Sequence, residues 1–253
     1  MVTDQQVLLY RRLLKKPNMT REAAAAGAPE GSVFVAEEQT AGRGRGAHTW
    51  HSARSAGIYC SVVLRPTLPP ADALVLSLAA GLAVHSAVST VADSIGIPLD
   101  LDLKWPNDVL LGDKKLCGIL TEMHAEVTRV RHLVVGIGMN VNHDDFPAAL
   151  QREAVSLRML TGSDWSRVEL TAALLKSLDR EYRGLLQADG RQSILQRFSE
   201  ASSYVRGRCV HVEENGGFDG ITEGLDERGF LRVRTDGGMR TVLSGSVRAA
   251  QIT

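Results

Sequence analysis

The chain has 253 residues, 44% hydrophobic and 23% charged, with 29 Lys+Arg balanced by 29 Asp+Glu for a formal net charge of zero. That is the balance of an ordinary globular protein, because disorder needs fewer apolar residues and more net charge. The neutral total argues against a primary binder of nucleic acid or anionic membrane, which needs a basic excess or a basic face.

Residues 5–26 read as helical, broken near Lys16-Pro17 because the residue before proline is pushed out of the helical region. The Ala23–Ala26 run stops at Gly27, and Ala28-Pro29-Glu30-Gly31 is turn chemistry. Ser32–Ala36 is a short buried-strand pattern, and residues 40–51 form a glycine-rich segment without hydrophobic period, hence a loop. Gly57–Leu64 is the next strand. Ala73–Ala92 carries no charge, and Ser77, Gly81, His85 and Ser89 recur at i+4 as a small or polar stripe. The stripe marks a core helix rather than a membrane span.

Leu101–Trp105 alternates as a strand into a Pro106-Asn107-Asp108 turn. Val109–Leu111, a Gly112-Asp113 connector and Leu116–Glu122 form a hairpin, and Leu133–Val141 is another buried strand. Ser166-Arg167-Val168-Glu169 has capping-box spacing ahead of an apolar helical face that ends at Gly190, and a second helix covers Ser193–Ser203. The last fifty residues change to short strands with Gly turns, the pattern of a small β-barrel or sandwich, and a domain boundary is placed near Tyr204–Gly207.

Three cysteines, Cys60, Cys117 and Cys209, are widely spaced without a C-x-x-C, so no disulfide framework or zinc knuckle is expected. The N-terminus does not read as a signal peptide, and a reducing cytoplasm fits best. The seven histidines show no helical metal spacing, and no nucleophile elbow is present.

Three segments carry chemistry. Gly42-Arg43-Gly44-Arg45-Gly46 alternates bare backbone with guanidinium forks, which suits an anion; a solvated loop or an Arg-Gly RNA-binding fragment has the same composition. Lys104-Trp105-Pro106-Asn107-Asp108 delivers a cation and a rigid turn, with Lys114-Lys115 a few residues on; a plain strand-end turn is the competing reading. Gly136-Ile137-Gly138-Met139-Asn140-Val141-Asn142 lacks the third glycine of a dinucleotide fingerprint. It reads as a strand whose glycines let a flat ligand lie on bare backbone, or as a β-bulge.

Taken in order, Ala36–Arg45 with Trp50, Lys104–Asp108, Lys115–Leu120 and Gly136–Asn142 resemble the biotin protein ligases, over nearly the whole chain. The resemblance implies an α+β fold: a mixed sheet covered by helices over residues 1–204, then an SH3-like barrel over 205–253. It implies an enzyme that joins biotin to ATP, with Mg2+, as biotinyl-5′-AMP. The biotin then passes to a lysine of a biotin carboxyl carrier protein or domain.

By the same resemblance, Gln39, Gly42, Arg43, Gly44 and Arg45 hold biotin and its carboxyl end. Arg45 and Lys115 neutralise the carboxylate–phosphate junction, and Gly118 and Gly136 wall the rings. Asn18 falls in the segment corresponding to the family's Ser-Thr-Asn stretch. Trp50, Lys104, Asn107, Asn140 and Arg248 are expected on the nucleotide, and Asp108 orients the incoming amine. The Gly-rich loop is expected to order over the ligand. Three departures from the pattern stand out: the Pro17–Thr20 segment, His48 in place of an additional Arg, and Ser246 in place of an acid. The short N-terminal segment implies the form without a DNA-binding domain, so no DNA role is expected, and the resemblance leaves monomer or homodimer open. A lipoate or octanoate ligase or transferase and a non-catalytic biotin-binding module are the alternatives.

Overall fold

The computed structural model describes residues 19–46, 48–214 and 216–250. The expected helix over 5–18, and Asn18 with it, lie outside the described residues; the Ala-rich part forms α1, Met19–Ala25. Two sheets organise the rest.

The first sheet contains β1 (Val33–Ala36), β2 (Gly57–Leu64), β3 (Leu101–Lys104), β4 (Asp108–Leu111), β5 (Lys114–Ala125) and β6 (Val130–Asn140), in the order β1-β2-β6-β5-β4-β3. The expectation of a mixed sheet is corrected. Every ladder between these strands is antiparallel, and the parallel pairing seen is an isolated bridge, Lys115 to Ala154. The reason lies in the connections. β3, β4, β5 and β6 follow one another through tight turns, and a tight turn can join only antiparallel neighbours.

One face of this sheet is covered by α2, Ala73–Ser94, with 14 of its 22 residues buried. It meets the length and apolarity of a membrane span, but its faces pack on β3, β4 and β5, on α4 (Arg167–Leu185) and on α5 (Gly190–Glu200). The small stripe explains the close approach: a Cβ on Gly81 would stand 3.5 Å from the Phe198 ring and 3.7 Å from Leu103.

Ser166 caps α4 by accepting the Glu169 N–H at 3.2 Å, a contact worth about 1 kcal/mol. Gly190 does not end that helix. It opens α5, where a Cβ would strike the Gly184 carbonyl oxygen at 2.2 Å, so glycine permits a tight helix–helix corner. A short α3, Leu157–Thr161, capped by Ser156, carries too few residues to show a period.

The second sheet holds β7 (Arg206–Glu213), β8 (Phe218–Leu225), β9 (Leu231–Thr235), β10 (Gly238–Val242) and β11 (Ser246–Ala249), ordered β10-β9-β8-β7-β11 and antiparallel throughout. This is the small SH3-like barrel. Trp105, 1% exposed, ties it to the first sheet by donating its indole N–H to the Gly229 carbonyl at 2.9 Å.

Candidate active site

Side chains alternate across a strand, so β5 and β6 present different residues to the two sides of the sheet. Cys117, Ile119, Leu133, Val135, Ile137 and Met139 face α2 and are buried. On the other side Gly118 is paired with Gly138, and Leu120 with Gly136. The Trp50 indole lies directly on the Gly118–Gly138 pair. A Cβ at 138 would fall 2.5 Å from its Cε2, and one at 118 would fall 2.8 Å from its Cζ3. At Gly136 nothing approaches an added Cβ closer than 3.4 Å, so the floor beside Ser61 and Leu120 is open. A cleft of about 560 Å3 stands over this floor.

The glycine–arginine loop roofs the cleft. Gly42 accepts the Trp50 N–H at 3.0 Å, Gly44 donates to the His48 carbonyl at 2.8 Å, and Arg43 bridges to Thr49. A Cβ on Gly42 would sit 2.6 Å from the Trp50 carbonyl oxygen, which is why that position is glycine. Gln39 lines the same wall, its backbone N–H donating to Ser52 Oγ at 2.7 Å.

The cations gather at one end. Arg45 donates to Asn107 Oδ1 at 3.1 Å and to the Gly245 carbonyl at 3.3 Å. Burial works against its charge, and Asp108 works for it. Lys115 Nζ lies 2.6 Å from Asp108 Oδ1 and 5.7 Å from the centre of a Trp50 ring. Asn107 is fixed by a bond from its amide to the Ile119 carbonyl at 2.7 Å. The cleft lining brings together Gln39, Arg43, Gly44, Arg45, Trp50, Asn107, Asp108, Lys115, Gly118 and Gly136, while Gly42 is buried within the loop against Trp50 and does not line it.

Four of the expected residues, Arg43 on the lining and three off it, are held by other protein groups. Arg43 borders the cleft, but both its contacts at 2.9 Å are to the Glu122 carboxylate, which also pairs with Arg21 at 3.2 Å. Asn140 is 3% exposed and off the cleft wall; its amide donates to the Lys115 carbonyl at 3.3 Å, so it supports Lys115 from behind. Lys104 is not on the lining either; it pairs with Asp108 across β3 and β4, its ammonium 5.5 Å from the Tyr204 ring centre, and burial lowers its pKa, Asp108 raises it, and Lys115 and Arg248 lower it. Arg248 points along β11 to Glu213 at 3.2 Å, and the barrel meets the cleft through Glu213 and Ser244–Ser246 instead. Arg21, Ser61, Glu122 and the Ser244–Gly245 turn were not picked out from the sequence. Glu122 alone had a signal there, being two strand periods from Gly118 on the same face.

A cationic cleft on the bare side of an antiparallel sheet, rimmed by a small barrel, defines an α+β protein built to hold a flat molecule and an anion together. Residues 10–140 match the model of the biotin/lipoate A/B protein ligase family, and residues 207–248 match the biotin protein ligase C-terminal domain. The chain is 36% identical over 248 residues to a bifunctional ligase/repressor BirA of Bacillus spizizenii, covering 96% of this chain and 74% of that one. It is 38% identical over 229 residues to a biotin–[acetyl-CoA-carboxylase] ligase of Mycobacterium tuberculosis, covering 88% and 81%. A structure of the Aquifex aeolicus biotin protein ligase in complex with biotin and ATP superposes with a TM-score of 0.80 at 28% identity, over 97% of this chain and 100% of that one. The chain belongs to the biotin/lipoate A/B protein ligase family.

Proposed function

We propose that the chain is an ATP-dependent biotin protein ligase, with residues 1–204 as its catalytic unit and 205–253 as the barrel. The observation that carries this reading is the convergence of Arg45 and Lys115 on one end of a cleft floored by bare glycine backbone. The match at residues 207–248 favours biotin over lipoate or octanoate.

In the first step the biotin carboxylate attacks the α-phosphorus of ATP. A C–O–P bond forms, the bond to the β-phosphate breaks, and pyrophosphate leaves. Two anions must meet, so the protein's task is to neutralise and align them. Arg45 and Lys115 supply the charge, and Asn107 holds the Arg45 fork in place. Magnesium enters with ATP as part of that substrate. Trp50 covers the floor and, with the loop, excludes water from the mixed anhydride.

In the second step the amine of a carrier-domain lysine attacks the acyl carbon. An amide forms, AMP leaves, and the amine loses a proton. Asp108 faces this junction beside Lys115 and orients the incoming amine. No protein nucleophile takes part.

Incubation with biotin, labelled ATP and magnesium tests the reading. Biotin-dependent pyrophosphate release is expected. Release with lipoic acid but not biotin would transfer the assignment to a lipoate ligase, and biotin binding without release would leave only a binding module.

A further inference from the structure

Behind the cleft, a buried polar cluster joins two segments that the site depends on. Tyr59, 1% exposed, sits on β2 with its hydroxyl at Ala53: it accepts the Ala53 N–H at 3.0 Å and donates to the Ala53 carbonyl at 3.0 Å. His143 Nε2 lies 3.3 Å from the same oxygen. A phenol has one proton. With that proton on Ala53, the neutral His143 carries its own on Nε2 and donates it to Tyr59. Gly57 leaves the space this requires, since a Cβ there would fall 2.6 Å from the hydroxyl and 2.8 Å from the Met139 carbonyl oxygen.

The ring of His143 stacks on Phe146 at 5.0 Å, and Phe146 meets His51 edge-on at 6.0 Å. The cluster thus grips both sides. His51, Ser52 and Ala53 are the return arm of the loop that carries Trp50, and Ser52 also accepts the Gln39 N–H. His143 and Phe146 begin the segment whose far end clamps Lys115, through Lys115 N–H to the Glu153 carbonyl at 2.7 Å and Val155 N–H to the Lys115 carbonyl at 3.1 Å.

We infer that Tyr59 and His143 are positioning residues: they lock the Trp50 arm to the Lys115 clamp and so set the placement of the roof over the cationic end, without touching either substrate. The inference rests on the ligase reading of the cleft. Loss of the lock leaves the reacting groups intact but makes each binding event order a looser roof. The effect belongs in KM rather than kcat.

The test measures KM for biotin, kcat and Tm in Tyr59→Phe, His143→Phe, His143→Gln and the Tyr59→Phe/His143→Phe pair. Loss of the Tyr59–His143 hydrogen bond, which both Phe variants share and to which Tyr59→Phe adds the two Ala53 bonds, predicts a KM raised about three- to tenfold with kcat within about twofold. The pair exceeds the single variants little, because both break one network. His143→Gln, which keeps a donor, stays near wild type. Should Tyr59→Phe fail to fold, His143→Phe carries the comparison. An active wild type with unchanged KM in the folded Phe variants, or a fall in Tm alone, overturns the inference and leaves the ligase reading standing. Absence of biotin-dependent pyrophosphate release in the wild type overturns both.

Discussion

The two faces of β5 and β6 are made by alternate residues of the same two strands, yet they are opposites. Toward α2, Leu133, Val135, Ile137 and Met139 fill every space and exclude water. Toward the cleft, Gly136 and Gly138 fill none, and the volume they leave is taken by Trp50 or stays open. The packed face holds the fold, and the bare face holds the chemistry. Volume is required on one side and forbidden on the other, one residue apart.

The largest effect is expected at the cationic end. Lys115→Ala should lower kcat/KM for pyrophosphate release by roughly 100- to 1000-fold, the usual loss for one charge-stabilising donor, with the thermal midpoint little changed. A fall below about tenfold would remove Lys115 from the chemistry. On the glycine floor, Gly138→Val drives a side chain into the space of the Trp50 indole and should cost about 100-fold in the same assay through misplacement of the roof. Far-UV circular dichroism should stay native, because the addition faces the cleft and not the core.

On the packed side of the same strand the outcome inverts. Leu133→Ala should lower unfolding free energy by about 2–5 kcal/mol while the folded fraction keeps its activity. Urea unfolding beside single-turnover kinetics reads both, and a selective loss of activity would mean that the faces are not separable.

The smallest effect is at His143. Burial, reinforced by His51, pushes its pKa down from 6.5 to about 4. The unfolded chain binds a proton there that the folded site refuses. Stability is therefore full above pH 6.5 and falls as pH drops toward about 4, by at most about 3 kcal/mol. His143→Phe should flatten that part of the stability–pH curve, and an unchanged slope would assign it to other groups.

Much of this was legible in the sequence because it is written locally. Continuous apolar runs marked β2 and β6, Gly112-Asp113 marked the β4–β5 hairpin, and Ser166 with Glu169 marked the start of α4. The glycines and the Arg45, Asn107, Asp108 and Lys115 group were visible as motifs. What was hidden depends on partners distant in the chain. Arg43 is paired on the cleft rim with Glu122, 79 residues away, which the loop motif alone does not announce. The contacts of Asn140 with the Lys115 carbonyl and of Arg248 with Glu213 are likewise made by the fold and announced by no local motif. Gly190 reads as a helix stop in one dimension and as a corner in three. The mixed sheet followed from the resemblance, whereas the antiparallel ladders follow from the tight turns that join β3 to β6.

The most direct test of the account is biotin-dependent exchange of labelled pyrophosphate into ATP, run on the wild type and on Gly138→Val side by side. Adenylate formation on the glycine floor predicts exchange that needs biotin, proceeds without any carrier protein, and collapses in the folded Gly138→Val variant. Exchange that ignores biotin, or that survives intact in Gly138→Val, would contradict it.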